Sequence, residues 1–294
     1  MSKIIFFLSL ILITSFTIKN NNIKPGKSSF IFQEDSLCNG VPFKIWTYVP
    51  MHYTSDSKVL FVLHGNKRNA DVYRNQWTNI AERNNTLLIV PEFSRKYFPR
   101  DVNYNMGNIF KMDSTDKIIS PNNRLNWTYS VIEPLFDFVK KKFGNSSKGY
   151  FIYGHSAGSQ FVHRFILFIP NARVEKAVSA NAGWYTLPDT NITFPYGLKS
   201  TTATMAQLKK SFSKHLTVLL GMADTLTMSK NLRRTPEAMQ QGKYRFKRGF
   251  YFFNHARKQA KLIDSPFNWE IKVAPGIGHN NNKMKNFAEN ILFN

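Results

Sequence analysis

Short apolar runs separated by longer amphipathic stretches recur along most of this 294-residue chain. Residues 44–50 (KIWTYVP) and 58–65 (KVLFVLHG) are short, rich in β-branched and aromatic residues and closed by Pro or Gly, and 86–93 (TLLIVPEF) is a continuous apolar run. With 149–154 (GYFIYG), 177–183 (AVSANAG), 216–221 (LTVLLG) and 269–276 (WEIKVAPG), all seven read as strands. Between the second and third, residues 70–85 set Val72, Trp77, Ile80 and Ala81 on one helical stripe, with Asn69 placed to cap it. Residues 126–144 space Val131, Ile132, Leu135, Phe136 and Val139 for one helix face. Pro134 lies inside that stretch, so a kink or a late helix start is expected. Further helices are predicted over 156–169, 236–262 and 283–293. Residues 20–37 read as an extended polar lead-in, 94–124 as irregular, and 184–213 as an aromatic excursion. Strands alternating with helices, each strand a continuous apolar run, predict an α/β domain over residues 23–294. Its sheet should be mostly parallel with helices on both faces, and chemistry should stand at the carboxyl ends of the strands.

The first segment does not fit this alternation. Residues 4–18 (IIFFLSLILITSFTI) are almost continuously apolar and follow Lys3. That length is short for a membrane span and suits the centre of an export signal. Residues 1–22 are therefore expected to be a signal peptide, or an N-terminal anchor if left uncleaved, with the domain periplasmic or secreted. Cys38 is the single cysteine, so no intramolecular disulfide can form, and a domain of this size has core enough without one. The formal net charge of +22 raises the question of an anionic partner. The excess is spread along the chain without a nucleic-acid-binding pattern. It predicts a Lys-rich solvated surface, weak attraction to anionic surfaces and no nucleic-acid partner.

The sharpest chemical signal is Gly154-His155-Ser156-Ala157-Gly158, directly after a predicted strand and opening a predicted helix. A serine on such a turn is lifted clear of the chain, and small neighbours let the turn close. Its hydroxyl needs a base, and the base needs a carboxylate to orient it. Among seven histidines, His279 follows the last strand and a flexible Gly-Ile-Gly, whereas His255 lies inside a helix. Asp224 follows residues 216–221, with Thr225 beside it to steady the carboxylate; Asp189 is the second candidate. The backbone N–H of Ala157 and that of Asn66, after the turn at Gly65, are the expected oxyanion donors. His64 is then held by that turn rather than acting as a base. Trp184 and Tyr185 are candidates for a substrate pocket.

The stretches LHGNKRNADVYR, YGHSAG, LLGMADT and PGIGH resemble the α/β-hydrolase superfamily. More narrowly they look like bacterial esterases of the polyhydroxybutyrate depolymerase and feruloyl/acetylxylan esterase type. The resemblance covers roughly residues 42–292. It implies a single-domain α/β-hydrolase fold and a serine hydrolase that cleaves carboxylic esters through an acyl-enzyme. Ser156, Asp224 and His279 would be catalytic, Gly65, Gly154 and Gly158 would support the turns, and no metal or organic cofactor is implied. Peptide cleavage, acyl transfer or a catalytically silent binding role on the same fold are the other readings. With one cysteine and no room for a polymer-binding module, a small or oligomeric ester is a more natural substrate than a solid polymer.

Overall fold

The computed structural model describes residues 23–115 and 117–294; the leader, residues 1–22, lies outside them. Ten strands form in chain order: β1 (Gly26–Phe32), β2 (Phe43–Val49), β3 (Val59–Leu63), β4 (Leu87–Glu92), β5 (Phe110–Met112), β6 (Ile118–Pro121), β7 (Tyr150–His155), β8 (Val174–Ala180), β9 (Leu216–Gly221) and β10 (Glu270–Ala274). Seven helices intervene: α1 (Ala70–Arg83), α2 (Ile132–Phe143), α3 (Ala157–Phe168), α4 (Met205–Phe212), α5 (Pro236–Gln241), α6 (Arg245–Leu262) and α7 (Asn281–Phe293). Eight strands make one sheet in the order β1-β2-β4-β3-β7-β8-β9-β10. β1 and β2 run antiparallel to their neighbours, and every other pairing is parallel. This is the single-domain α/β-hydrolase architecture.

Alternation along the strands builds two cores. On β3, Val59, Phe61 and Leu63 face the side covered by α2, α3 and α6. Leu60 and Val62 face the side covered by α1 and α7, beside Trp77, Met284 and Leu292. Because both faces are buried, the central strands show no polar alternation, which is why they read as continuous apolar runs. Parallel strands ending together then bring the loops after β3, β7, β9 and β10 to one rim.

Several local expectations resolve differently. Within the lead-in lies β1, an edge strand in which only Phe32 is buried, so its exposed residues could stay polar. Pro134 falls in the first turn of α2, where a missing N–H loses no helical hydrogen bond; a short 3-10 turn, Thr128–Val131, precedes it. The 236–262 helix is two helices, broken at Gly242 with φ 147°. Asn69 stands at the start of α1, but its side chain makes no capping bond. The irregular 94–124 region contains the β5–β6 hairpin, and the aromatic excursion contains α4.

Candidate active site

Ser156 links β7 to α3 with φ 58° and ψ −113°, a conformation that L residues adopt only under constraint. Three backbone features hold it there. The Ser156 N–H donates to Ala180 O at 3.0 Å, and its own carbonyl accepts from Gln160 N–H at 3.0 Å. A Cβ on Gly154 would fall on the backbone of Gly158, and one on Gly158 would fall on the carbonyl of Leu63. The two glycines are therefore required by close packing of α3 onto the ends of β7 and β3. Gly158→Ala is expected to destabilise the fold by about 3 kcal/mol or more, since backbone rather than a flexible side chain must yield. A denaturant midpoint close to that of the wild type would contradict this packing account.

The serine hydroxyl reaches His279 across the rim. Ser156 Oγ lies 3.0 Å from His279 Nε2, and His279 Nδ1 lies 2.7 Å from Asp224 Oδ2. An ionised carboxylate only accepts, so Nδ1 carries the hydrogen and Nε2 is left to accept from the hydroxyl. The loop that carries His279 is tied down by Asn181, at the end of β8. Its amide donates to Gly278 O at 3.1 Å and accepts from Gly221 N–H at 2.7 Å. Asn181 thus stitches β8, β9 and the histidine loop together; its φ of 52° at a strand end is the local oddity that marks it.

Asp224 is 2% exposed, and its second oxygen faces Arg245, itself 3% exposed, at 3.5 Å. The neighbour on that oxygen is thus Arg245 from the start of α6 and not Thr225. In sequence, Arg245 looks like one more surface cation of RFKR, and nothing local marks it as buried. The other carboxylate–histidine candidates pair with each other: Asp189 Oδ2 lies 2.9 Å from His255 Nε2 and also accepts from Gln259 at 2.9 Å.

Two histidines near the serine are held neutral. His64 is fully buried, accepts from Phe93 N–H at 3.0 Å through Nε2 and faces Gly65 O at 3.0 Å through Nδ1. Burial pushes it down to about 3. His155 lies under the His279 ring, centroids 4.7 Å apart, and burial drives it well below its ordinary value, helped by the charge of His279 and Arg245. At Gly65 the requirement is space rather than an unusual φ: a side chain there would meet the Tyr73 hydroxyl at 2.8 Å. Arg95 donates to Asn66 O at 2.9 Å and fixes the following turn. Among the described residues the N–H groups of Asn66 and Ala157 have no hydrogen-bond partner, and both residues line the cleft with Ser156 and His279.

This cleft has a volume of about 340 Å³. Lys230, Arg233, Arg245 and Asp101 are among its lining, Arg245 being already paired with Asp224. Trp184 lines it too, between two guanidinium groups: Arg164 at 4.2 Å and Arg233 at 4.9 Å from its ring. Arg164 is fully buried with no carboxylate partner among the described residues, and burial lowers it to about 10, so it stays charged at neutral pH. Tyr185 corrects the sequence expectation. Its ring stacks on Phe252 at 4.5 Å, it is fully buried, and it does not line the cleft. Of the two, only Trp184 lines the cleft with the serine.

No protein-family model and no curated protein matches the chain in sequence. Among solved structures, poly(aspartic acid) hydrolase-1 from Sphingomonas sp. KT-1 is 43% identical over 92% of this chain and 100% of its own, with a TM-score of 0.87. The poly(3-hydroxybutyrate) depolymerase LpqC from Bordetella parapertussis is 31% identical over 92% of this chain and 91% of its own, with a TM-score of 0.84. The fluorophosphonate-binding serine hydrolase FphF of Staphylococcus aureus, 16% identical over 92% of this chain and 98% of its own, shares the fold with a TM-score of 0.57.

Proposed function

This chain belongs to the α/β-hydrolases, in the group that holds poly(aspartic acid) hydrolase-1 and the depolymerase LpqC, and from that premise we propose a serine hydrolase that cleaves carboxylic esters through an acyl-enzyme. One observation carries the reading: Ser156 Oγ, His279 and Asp224 form a continuous hydrogen-bonded chain beside two N–H groups that have no partner among the described residues. In acylation, Ser156 Oγ attacks the carbonyl carbon while His279 Nε2 takes its proton, and Asp224 stabilises the imidazolium. The Asn66 and Ala157 N–H groups hold the oxyanion, and His279 then protonates the leaving group. Water repeats the sequence to release the acid. A silent scaffold has no use for this alignment. The apolar leader supports export of the enzyme.

The acyl group in this reading carries a carboxylate. Lys230 stands exposed at the cleft, and Arg164 adds a buried charge behind Trp184 with no carboxylate partner among the described residues. This positive charge, with 43% identity to a poly(aspartic acid) hydrolase, also favours a second reading in which the scissile bond is an amide of an acidic oligomer. p-Nitrophenyl succinate and butyrate compared with oligo-aspartate separate the two. The ester reading expects a succinyl preference in kcat/KM of about tenfold at low salt, of the size of one charge-assisted hydrogen bond. Lys230→Ala is expected to remove most of it. Oligo-aspartate turnover without ester turnover would establish the amide reading instead.

A further inference from the structure

On the far side of Ser156 and His279 lies a second cavity of about 290 Å³, bordered by the starts of α1 and α7. It shares Ser156, His279, Asn66 and Asn231 with the first cleft, so the reacting pair stands on the divide between two cavities. Their chemistry differs. The second cavity is lined by side-chain amides, with Lys67 as its single basic side chain besides histidine and no carboxylate. Three of these amides come from separate elements: Asn69 before α1, Asn231 in the loop after β9, and Asn282 in α7. Asn231 and Asn282 are exposed and Asn69 is half-buried, and none of the three side chains bonds another group of the protein among the described residues. At the base is His155, 4% exposed, whose buried Nε2 also lacks a partner there.

From this placement we propose that the second cavity is the leaving-group subsite and that it takes an uncharged, hydrogen-bonding alcohol portion, a carboxamide or hydroxyl chain. The assignment rests on the acyl-enzyme reading. Its direction follows from His279. The proton must reach the leaving oxygen from His279 Nε2, and the wall of this cavity is built by the residues directly after that histidine and by His155 beneath its ring. Ala157, whose N–H would hold the oxyanion, lines only the other cavity. Ser156 Oγ bonds to the carbonyl carbon and the bond from that carbon to the leaving oxygen breaks. The serine proton passes through His279 to that oxygen, and a neutral alcohol departs into the amide-lined cavity. Amides both donate and accept, so they match a carboxamide or hydroxyl on both counts, and Lys67, which is solvent-exposed, offers a carboxylate only a screened contact.

Butyryl esters of three alcohols of matched size test this: N-acetylethanolamine, 1-hexanol and 4-hydroxybutyrate. In the wild type, kcat/KM for the N-acetylethanolamine ester is expected to exceed that for the hexyl ester about tenfold, as two neutral hydrogen bonds would give. It is also expected to exceed that for the 4-hydroxybutyrate ester. In the Asn231→Ala/Asn282→Ala double variant the amide-to-hexyl ratio is expected to fall toward one. A ratio within one protein cancels any loss of folded enzyme. A wild-type ratio near one, a ratio preserved in the double variant, or preference for the 4-hydroxybutyrate ester would overturn the subsite. Failure to cleave all three, with no fluorophosphonate labelling of Ser156, would overturn the acyl-enzyme reading beneath it. Cleavage of all three without discrimination would sink the subsite alone.

Discussion

Ser156→Ala is expected to abolish covalent labelling by a fluorophosphonate and to lower kcat about a millionfold on any ester the wild type cleaves. The size follows from the geometry. The hydroxyl is the one group that both accepts the strained turn and lies 3.0 Å from His279 Nε2. Alanine keeps the cleft, the N–H groups of Asn66 and Ala157, and the His279–Asp224 bond. What survives is therefore polarisation of the carbonyl and attack by water, a residual rate about a thousandfold above background. Since Ser156 donates its backbone N–H rather than its side chain to Ala180, the variant should fold with wild-type stability. The check is mass-spectrometric labelling beside a denaturation curve. Labelling that persists in a folded variant would move the nucleophile elsewhere; among the described residues no other serine hydrogen-bonds His279.

The same geometry explains what could be read in the chain beforehand. Strands β3, β4, β7 and β9 were legible because burial on both faces forbids polar residues, and the ends of such runs fix where loops can carry chemistry. Ser156 and Asp224 could be singled out because each follows one of these runs, and His279 because it follows β10, an edge strand that the sequence still showed through Ile271-Lys272-Val273. β1 was not legible, since it opens on Gly-Lys-Ser-Ser, which carries neither β-branched residues nor apolar alternation, whereas the equally exposed edge strand β10 alternates Ile, Lys and Val. Arg245 and Arg164 were hidden for the opposite reason. Their burial depends on contacts far along the chain, with Asp224 and with Trp184, and in sequence a buried arginine is indistinguishable from a solvated one. Tyr185 misled because its neighbour Trp184 does line the cleft, and proximity in sequence says nothing about which way two adjacent side chains turn.

Asp224→Asn is expected to lower kcat about ten-thousandfold while leaving the cleft in place. The amide removes the anion that keeps the hydrogen on His279 Nδ1, and it can donate to that nitrogen instead. Nε2 then carries the hydrogen and no longer accepts from Ser156. A second consequence is particular to this chain. Arg245 is 3% exposed and the Asp224 carboxylate, 3.5 Å away, is its charge partner, while Ser229 Oγ at 3.3 Å offers only a neutral acceptor. Neutralising Asp224 strands a buried guanidinium, which costs about 3 kcal/mol, less if the long 3.5 Å separation already weakens the pair. Asp224→Asn should therefore lose stability and activity together. Combining it with Arg245→Met should recover stability without recovering activity, because the methionine removes the stranded charge and does nothing for the imidazole tautomer. Urea midpoints and kcat on one ester, measured across the four proteins of this cycle, separate the two effects. Recovery of activity along with stability would mean that Asp224 acts through Arg245 as a structural pair rather than by orienting His279.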